Sequence, residues 1–527
     1  MYQIQIHKRD YTSYDITPST ETTINPFQEK LFHGDTFSLL NEKIERKESI
    51  IRKQKKIQGI LILQNNKTYG SYSKRLLYKC VPNEINLPHF LIPYTQKYDF
   101  QKTFTNLFIN FEFKEWEGKH PIGTIVDIIG SVDDNSSLFE YELYCKNLQS
   151  SLNNFNKAIL PILPPNKTNL QEDNTFIFTI DPTGCTDYDD AFSVDNEKIC
   201  IYISNVPLFF EKMGNKGWNV FSLQKRISTI YLPHTKKPLL PNILSDDLCS
   251  LKQGKWRETI VMEINKENII TFYNKCVYIS HNFIYEEPNL LYHSHYQLLL
   301  EKGKHLLSSY PYIESINDSH DIVSFFMIFM NHQVGLRLSS GIFRVTKENI
   351  NNNTNVSLKP FLYDWNSNYS GIYTFVDKKK REKVFHEALQ LEYYTHITSP
   401  IRRVVDIINL ILFQMDLKLF TFSLSATKFV EKWIKEIEYI NETFHKVKKI
   451  QNKCNFIHSI QNQTNIFGYV FERENETYSV YLPSLKSIYY LKTMDEMDFF
   501  KEYNFCIHVF EDEDKMKKRI RLINNVL

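Results

Sequence analysis

A chain of 527 residues is too long for one ordinary domain and implies about three or four. Hydrophobic residues at 42% fill real cores, while 63 Lys and Arg against 61 Asp and Glu leave a net charge of only +2, which excludes a protein that coats nucleic acid by a general basic excess. Eight scattered cysteines with no Cys-x-x-Cys pair, and no apolar run of about eighteen residues, exclude a disulfide framework, a cysteine zinc site and a membrane-spanning helix.

The polar alternation of Met1-Tyr2-Gln3-Ile4-Gln5-Ile6, with no signal-peptide core behind it, points to a soluble cytoplasmic protein, with the nucleus as the alternative compartment. Short strand-like pieces follow to about Gln58, with a charged run from Glu42 to Lys56 that reads either as a solvated helix face or hinge, or as a basic lip where nucleic acid enters. From Gly59 the pattern is β: Gly59–Leu63, Leu87–Tyr94, Phe108–Phe113 and Gly123–Gly130, broken by Pro, Gly and Asn at the spacing of a small barrel. Leu148 to Thr175 is rich in Asn, Pro, Ser and Lys and reads as a linker.

The organising stretch is Thr179-Ile180-Asp181-Pro182-Thr183-Gly184-Cys185-Thr186-Asp187-Tyr188-Asp189-Asp190-Ala191-Phe192. Phe176–Phe178 and Ala191–Val194 read as buried strands, so four carboxylates are crowded into the turn between them. Like charges held that close raise one another's pKa unless a cation sits among them, and an all-oxygen set suits magnesium or manganese rather than zinc. A solvated acidic loop is the plainer reading. A helix-loop-helix calcium site does not fit, because the spacing of Asp187, Asp189 and Asp190 lacks that loop's glycine and closing glutamate. Metal-assisted phosphoryl chemistry is the natural use of such a turn.

Ile201–Val206 reads as a strand beside the turn, and Ile322–Asn331 as a buried helix. Two further blocks stand out: Tyr231-Leu232-Pro233 through Leu240-Pro241 to Leu244-Ser245-Asp246-Asp247-Leu248-Cys249-Ser250-Leu251, and Tyr394-Thr395-His396-Ile397-Thr398-Ser399-Pro400-Ile401-Arg402-Arg403. The second runs into a helix, Val404 to Met415, that Thr398 and Ser399 can cap and whose first turn tolerates Pro400, so its N-terminus with Arg402 and Arg403 makes a phosphate site. For Arg403 a surface salt bridge is the plainer role. Val430, Trp433, Ile437, Ile440, Phe444 and Val447 recur at helical steps, predicting one amphipathic helix over 426–452. Alternating strands at 467–471, 478–483 and 505–510 close the chain, with Lys515–Arg521 a candidate phosphate contact unless Glu511–Asp514 pair with it.

These three blocks, in this order, resemble the ribonuclease II (RNB) family of exoribonucleases, most closely its eukaryotic exosome-associated branch. The turn matches the family signature Asp-Pro-x-Gly-Cys-x-Asp-x-Asp-Asp in full. The resemblance implies an α+β chain: a mixed α/β RNB catalytic domain over 165–455 flanked by OB-fold β-barrels, a degenerate first cold-shock-like one over 1–58, a second over 59–150, and a C-terminal RNA-binding one over 465–527. It implies magnesium, with manganese as a substitute, on Asp181, Asp187 and Asp190, Asp189 orienting the attacking water, and Arg402 stabilising the scissile phosphate. Tyr231 and Tyr285 match aromatics that clamp the 3′-end nucleotides, although Tyr285 also reads as an ordinary buried tyrosine; base stacking contributes about 1–3 kcal/mol. His396 and Arg403 become RNA contacts, and Tyr69, Tyr72 and Phe90 become candidates for stacking in a barrel, where such aromatics are more often core. The implied activity is 3′-to-5′ hydrolysis of single-stranded RNA to nucleoside 5′-monophosphates by a monomeric catalytic unit, with RNA-decay complexes as further partners. No PIN-type domain precedes the barrels, which argues against exosome tethering by that route.

Several positions depart from the family. Tyr202, Ser204 and Asn205 stand in a strand of different usual sequence, Ser324 and Phe325 replace acidic residues, Asn409-Leu410 replaces a His-Arg pair, and the stretch after Tyr285 is short by a segment that supplies another aromatic clamp. These motivate the alternative of a weakened RNB-fold protein that binds RNA or a partner without cutting.

Overall fold

The computed structural model describes residues 1–19, 24–40, 43–64, 66–95, 104–164, 175–346, 371–378, 383–459, 465–485, 487–512 and 517–524. It divides into two compact units, 1–149 with 452–527, and 150–451. Among the described residues no helix is long and apolar enough to cross a membrane.

The first unit opens with an antiparallel sheet in the order Tyr14–Thr17, Tyr2–Ile6, Thr36–Leu40, Lys43–Glu48. The charged run therefore begins as strand, Lys43–Glu48, and passes into the single helical turn Ile50–Lys53, with Glu42 outside the described residues, so it is not one helix face. Its Arg46 pairs with buried Asp35, and Arg52 lies over the rings of Phe32 and Phe113. A second sheet runs Ile57–Leu61, Leu107–Glu115, Ile122–Ser131, Phe90–Tyr94, Arg75–Pro82, Thr68–Tyr72, and a further pairing of Ile57–Leu61 with Arg75–Pro82 closes it into a barrel. Phe90 is fully buried there, stacked on Phe32 and tilted against Phe111, so it is core and not a stacking platform. Tyr69 is exposed, with the Lys67 ammonium over its ring, and Tyr72 bonds Glu115.

A third sheet, near the chain's end, runs Ser487–Lys492, Thr477–Leu482, Asn465–Glu474, Glu502–Asp512, Lys517–Asn524, and Val470, Val480, Leu482 and Phe505 fill its core. Of the basic stretch expected to touch phosphate, Lys515 and Met516 lie outside the described residues, and the side chains of 517–521 and of Glu511–Asp514 are likewise not described.

The second unit is built on a six-stranded sheet ordered Ile270–Tyr278, Trp256–Asn265, Lys198–Ser204, Asp190–Val194, Phe178–Asp181, His281–Ile284. Every pair is antiparallel except the last, which is parallel. Both faces are covered, so the alternating side chains are apolar on each. Ile201 and Ile203 join Phe178, Phe192 and the helix Ser319–Arg337 on one side, while Cys200 and Tyr202 join Ile177, Ala191 and Val261 on the other. Each Ile, Val or Phe among them contributes about 1.5–3 kcal/mol when fully buried.

The expected linker is partly core: Asn153–Ile159 is a helix whose Phe155 stacks on Phe221, and 165–174 lie outside the described residues. The expected helix over 426–452 is two helices, Leu424–Lys435 and Ile437–Ser459, because Glu436 leaves the helical conformation at ψ 25°. Phe429 of the first packs on Trp218 and Phe221 of the helix Val206–Ser222.

Candidate active site

Strand Phe178–Asp181 ends on Asp181 and strand Asp190–Val194 begins on Asp190, so the sheet brings the two ends of the acidic turn together. The turn reverses through Gly184 at φ +77°, a conformation that costs a side-chain-bearing residue strain. Asp181 and Asp190 face each other. Burial first, and then its partner's charge, raises the Asp190 carboxyl; burial likewise raises Asp181, with Asp189 adding to the rise. Asp181 Oδ2 is sealed from solvent and has no hydrogen-bond partner among the described residues.

Asp189 is placed differently. Its Oδ1 accepts the Ile401 N–H at 2.8 Å and its Oδ2 accepts the Arg402 Nε–H at 3.1 Å. Burial still lifts its carboxyl to about 8, against the pull of Arg402 and the Ile401 N–H. Each oxygen thus holds one protein donor and keeps a second acceptor position, so Asp189 anchors Arg402 with acceptor capacity left for the water it was expected to orient. Arg402 itself is 44% exposed at its side chain and lines the pocket. Its backbone is pinned by the Thr229 N–H donating to Arg402 O at 2.9 Å.

The hairpin that follows Thr229 carries two more site residues. Tyr231 and Lys236 are cross-strand partners in the two-stranded ribbon Ile230–Leu232 with Thr235–Lys237, so their side chains share a face. The Tyr231 hydroxyl donates to Asp187 Oδ2 at 2.7 Å, and Lys236 Nζ donates to Asp187 Oδ1 at 2.8 Å and to Asp246 Oδ1 at 2.8 Å. Asp187, expected as a metal ligand, thus already has a countercharge. Lys236 and Asp246 were not singled out from the sequence; the pair Lys236-Lys237 inside the block from Tyr231 to Leu251 was the available signal, and it became legible only when the ribbon placed it opposite Tyr231.

Together these groups wall a cavity of 620 Å³, with Tyr285, Ser324 and Met327 on its other side. Tyr285 stacks on His320 with ring centroids 3.8 Å apart, and its N–H donates to Asp181 O at 3.0 Å. Ser324 faces the cavity, whereas Phe325, its neighbour among the departures, is fully buried in the core.

The donor chemistry fits a hard divalent ion at Asp181 and Asp190: oxygen ligands only, mutual repulsion that Arg402 offsets from a distance without bonding either, and one sealed carboxylate oxygen with no partner among the described residues. Among the described residues no three His, Cys, Asp or Glu side chains are gathered into a ready-made cage, so the expected three-ligand set is not assembled and Asp187 stands apart with Lys236.

Residues 170–279 and 290–418 match the family model of the RNB domain. This stretch is similar to the RNB domain. The chain is 30% identical to Exoribonuclease 2 of Psychromonas ingrahamii over 156 residues, 28% of this chain and 23% of that protein. It is 25% identical to Ribonuclease R of Helicobacter pylori over 306 residues, 44% of this chain and 46% of that protein. The chain therefore matches less than half the length of these curated relatives. Among solved structures, Mycoplasma genitalium RNase R in its apo form superposes with a TM-score of 0.67 at 16% identity, over 94% of this chain and 95% of that one. Yeast Ssd1, described as a pseudonuclease, gives a TM-score of 0.55 at 15% identity over 85% and 66%. At these identities the two structures establish the fold alone.

Two residues expected to touch RNA lie away from the cavity. Arg403 is committed to Asp406 through Nε and Nη2 at 2.8 and 2.9 Å, and His396 Nδ1 pairs with the Tyr373 hydroxyl at 2.8 Å. Burial and the neighbouring Arg403 hold His396 far below its usual pKa, so it is neutral and internal. The expected caps are also corrected. Arg403, not Thr398 or Ser399, precedes the helix Val404–Asp416, and Pro400 lies outside it; Asp406 inside the first turn accepts the Ser399 N–H at 2.7 Å instead.

The departures have structural roles. The Tyr202 hydroxyl bonds Ser193, Ser204 donates to Cys249 O, Asn205 caps the helix Val206–Ser222 and bonds Gln414, and Asn409 bonds Ile342, Thr395 and His396 O.

Proposed function

We propose that this chain hydrolyses single-stranded RNA from its 3′ end, releasing nucleoside 5′-monophosphates, with magnesium (or manganese in its place) held by Asp181 and Asp190. The observation that carries the reading is a facing pair of buried carboxylates that repel each other and that the nearby Arg402 guanidinium only partly offsets, in a cavity flanked by two tyrosines. When bound there, such an ion supplies an activated water and neutralises charge on a phosphoryl oxygen.

The chain's own residues do the rest. Asp189 acts as a positioning residue, since its two oxygens fix the Ile401 N–H and Arg402 Nε and so aim the guanidinium into the cavity. Arg402 receives the scissile phosphate and stabilises the charge that grows as the leaving oxygen departs. Tyr231 and Tyr285 seat the terminal nucleotides by stacking, which accepts any base. Asp187, bound by Tyr231 and Lys236, holds the ribbon against the turn. The relatives named exoribonuclease and Ribonuclease R support the activity, and RNase R has also been solved with ribose-methylated single-stranded RNA.

A second reading is favoured by the likeness to a pseudonuclease: binding without cutting. End-labelled single-stranded RNA incubated with magnesium, and in parallel with EDTA, separates the two. Mononucleotides released only with the metal are expected. RNA retained intact and bound in both arms rejects hydrolysis and leaves the binder.

A further inference from the structure

The first unit contains a cavity of 780 Å³, larger than the one at the carboxylates and within the usual size of a small-molecule site. Its lining is unevenly charged. Lys8, Arg9, His89 and His120 face it, and the one lining carboxylate, Asp10, already accepts the Thr12 N–H and hydroxyl at 3.1 and 2.7 Å. Arg9 donates to Pro82 O at 2.8 Å and Leu87 O at 3.3 Å, which commits two of its five N–H groups to structure and leaves its charge in place. The two imidazoles are not spent. In each, Nδ1 is sealed from solvent with no partner among the described residues, so Nε2 is the nitrogen left to serve a ligand. Burial and the surrounding cations, Lys79 and Arg9 for His89, Lys119 and Lys79 for His120, keep both rings neutral in the absence of an anion.

The opposite character comes from Phe27 and Pro88. Phe27 is half-buried and held edge-on by Trp116 at 5.6 Å and His120 at 6.4 Å, so its ring is fixed beside the polar groups. A ligand matching this cavity carries an anionic end and a flat apolar body. We propose that it is a binding site for a nucleoside 5′-phosphate, with the phosphate received by Lys8 and the imidazole Nε2 atoms of His89 and His120, and the base laid against Phe27 and Pro88. The unit has two sources: a free mononucleotide or the terminal nucleotide of a 5′-phosphorylated strand. Neither source requires the carboxylate site of the other unit.

The test is photolabelling of the full chain with 8-azido-AMP in EDTA, followed by peptide mapping. Label on the peptide holding Phe27 or Pro88 is expected, at a yield reduced at least tenfold in Lys8→Glu and in Lys8→Glu/His89→Gln and unchanged in Asp190→Asn. AMP should compete, while adenosine and inorganic phosphate at equal concentration should not. Competition at least tenfold stronger by a 5′-phosphorylated oligonucleotide than by AMP at equal concentration assigns the site to the strand terminus, and equal or weaker competition assigns it to free nucleotide; failure of AMP to compete overturns the proposal. Label confined to peptides holding Tyr231 or Tyr285, equal competition by adenosine or by phosphate, or undiminished label in Lys8→Glu overturns the proposal. Thermal melting of Lys8→Glu, a change at the cavity rim, guards against loss through misfolding.

Discussion

Arg402 and Arg403 are adjacent in the chain and live in opposite electrostatic worlds. Arg403 is closed: its guanidinium makes two hydrogen bonds to Asp406, a carboxylate with no exposed side-chain surface, in a region shared with His396 and Tyr373. Arg402 is open: one nitrogen is held by Asp189 while the rest of the head faces a cavity containing two carboxylates whose repulsion it offsets only in part. The difference teaches where a ligand belongs. Folding has neutralised the charges of the inner cluster and left those of the outer one unfinished, which costs stability unless something arrives to complete them.

The sharpest way to break this contrast is Asp190→Asn. It should lower turnover on single-stranded RNA at least a thousandfold while RNA affinity measured by fluorescence anisotropy changes little; retained turnover would remove Asp190 from the chemistry. At the closed cluster the expected damage is to folding instead. Asp406→Asn strands the Arg403 charge in the interior and should destabilise the protein by about 3–5 kcal/mol in urea unfolding. Arg402→Ala should change stability far less, and equal losses for the two variants would erase the distinction.

A smaller effect comes from His386, which burial and the nearby Arg344 depress to about 4. The native state then binds fewer protons than the unfolded state between pH 6.5 and about 4, so its contribution is intact above pH 6.5 and is lost as pH falls through that window, by up to about 3 kcal/mol. In His386→Asn, which keeps an acceptor for the Leu389 N–H, melting temperature should fall less steeply between pH 6.5 and 4. An unchanged slope would place the titration elsewhere. The mildest test is Tyr285→Ala, expected to weaken binding of a short RNA by about 1–3 kcal/mol, with catalysis of bound substrate much less affected.

Much of this was legible in the sequence where local rules and global fold agree. The acidic turn between two apolar strands could be read residue by residue, because Phe178 and Phe192 pair across it and Gly184 takes the positive φ its position needs. What escaped reading were relations made by distant pairing. Lys236 reaches the site through a short ribbon whose register only the fold supplies, and the anchoring of Arg402 by Asp189 could not be read because Ile401 and Arg402 arrive from more than two hundred residues away. Helical spacing across 426–452 hid the break at Glu436, since an apolar stripe continues through two helices as easily as one. The departures at Tyr202, Asn205 and Asn409 looked like lost function, yet each polar group is satisfied inside the core, a fact invisible until the partners are in place.

The ribbon bearing Tyr231 and Lys236 has a mechanical side. Both of its strands are tied to one carboxylate, the phenol to one oxygen and the ammonium to the other, with Asp246 gripping the ammonium from behind. A ring that swings to meet an incoming base must release Asp187 Oδ2, while Oδ1 stays paired with the Lys236 ammonium. Seating a base thereby loosens one strand of the ribbon and leaves the other moored, so the same carboxylate serves as latch and as hinge pin.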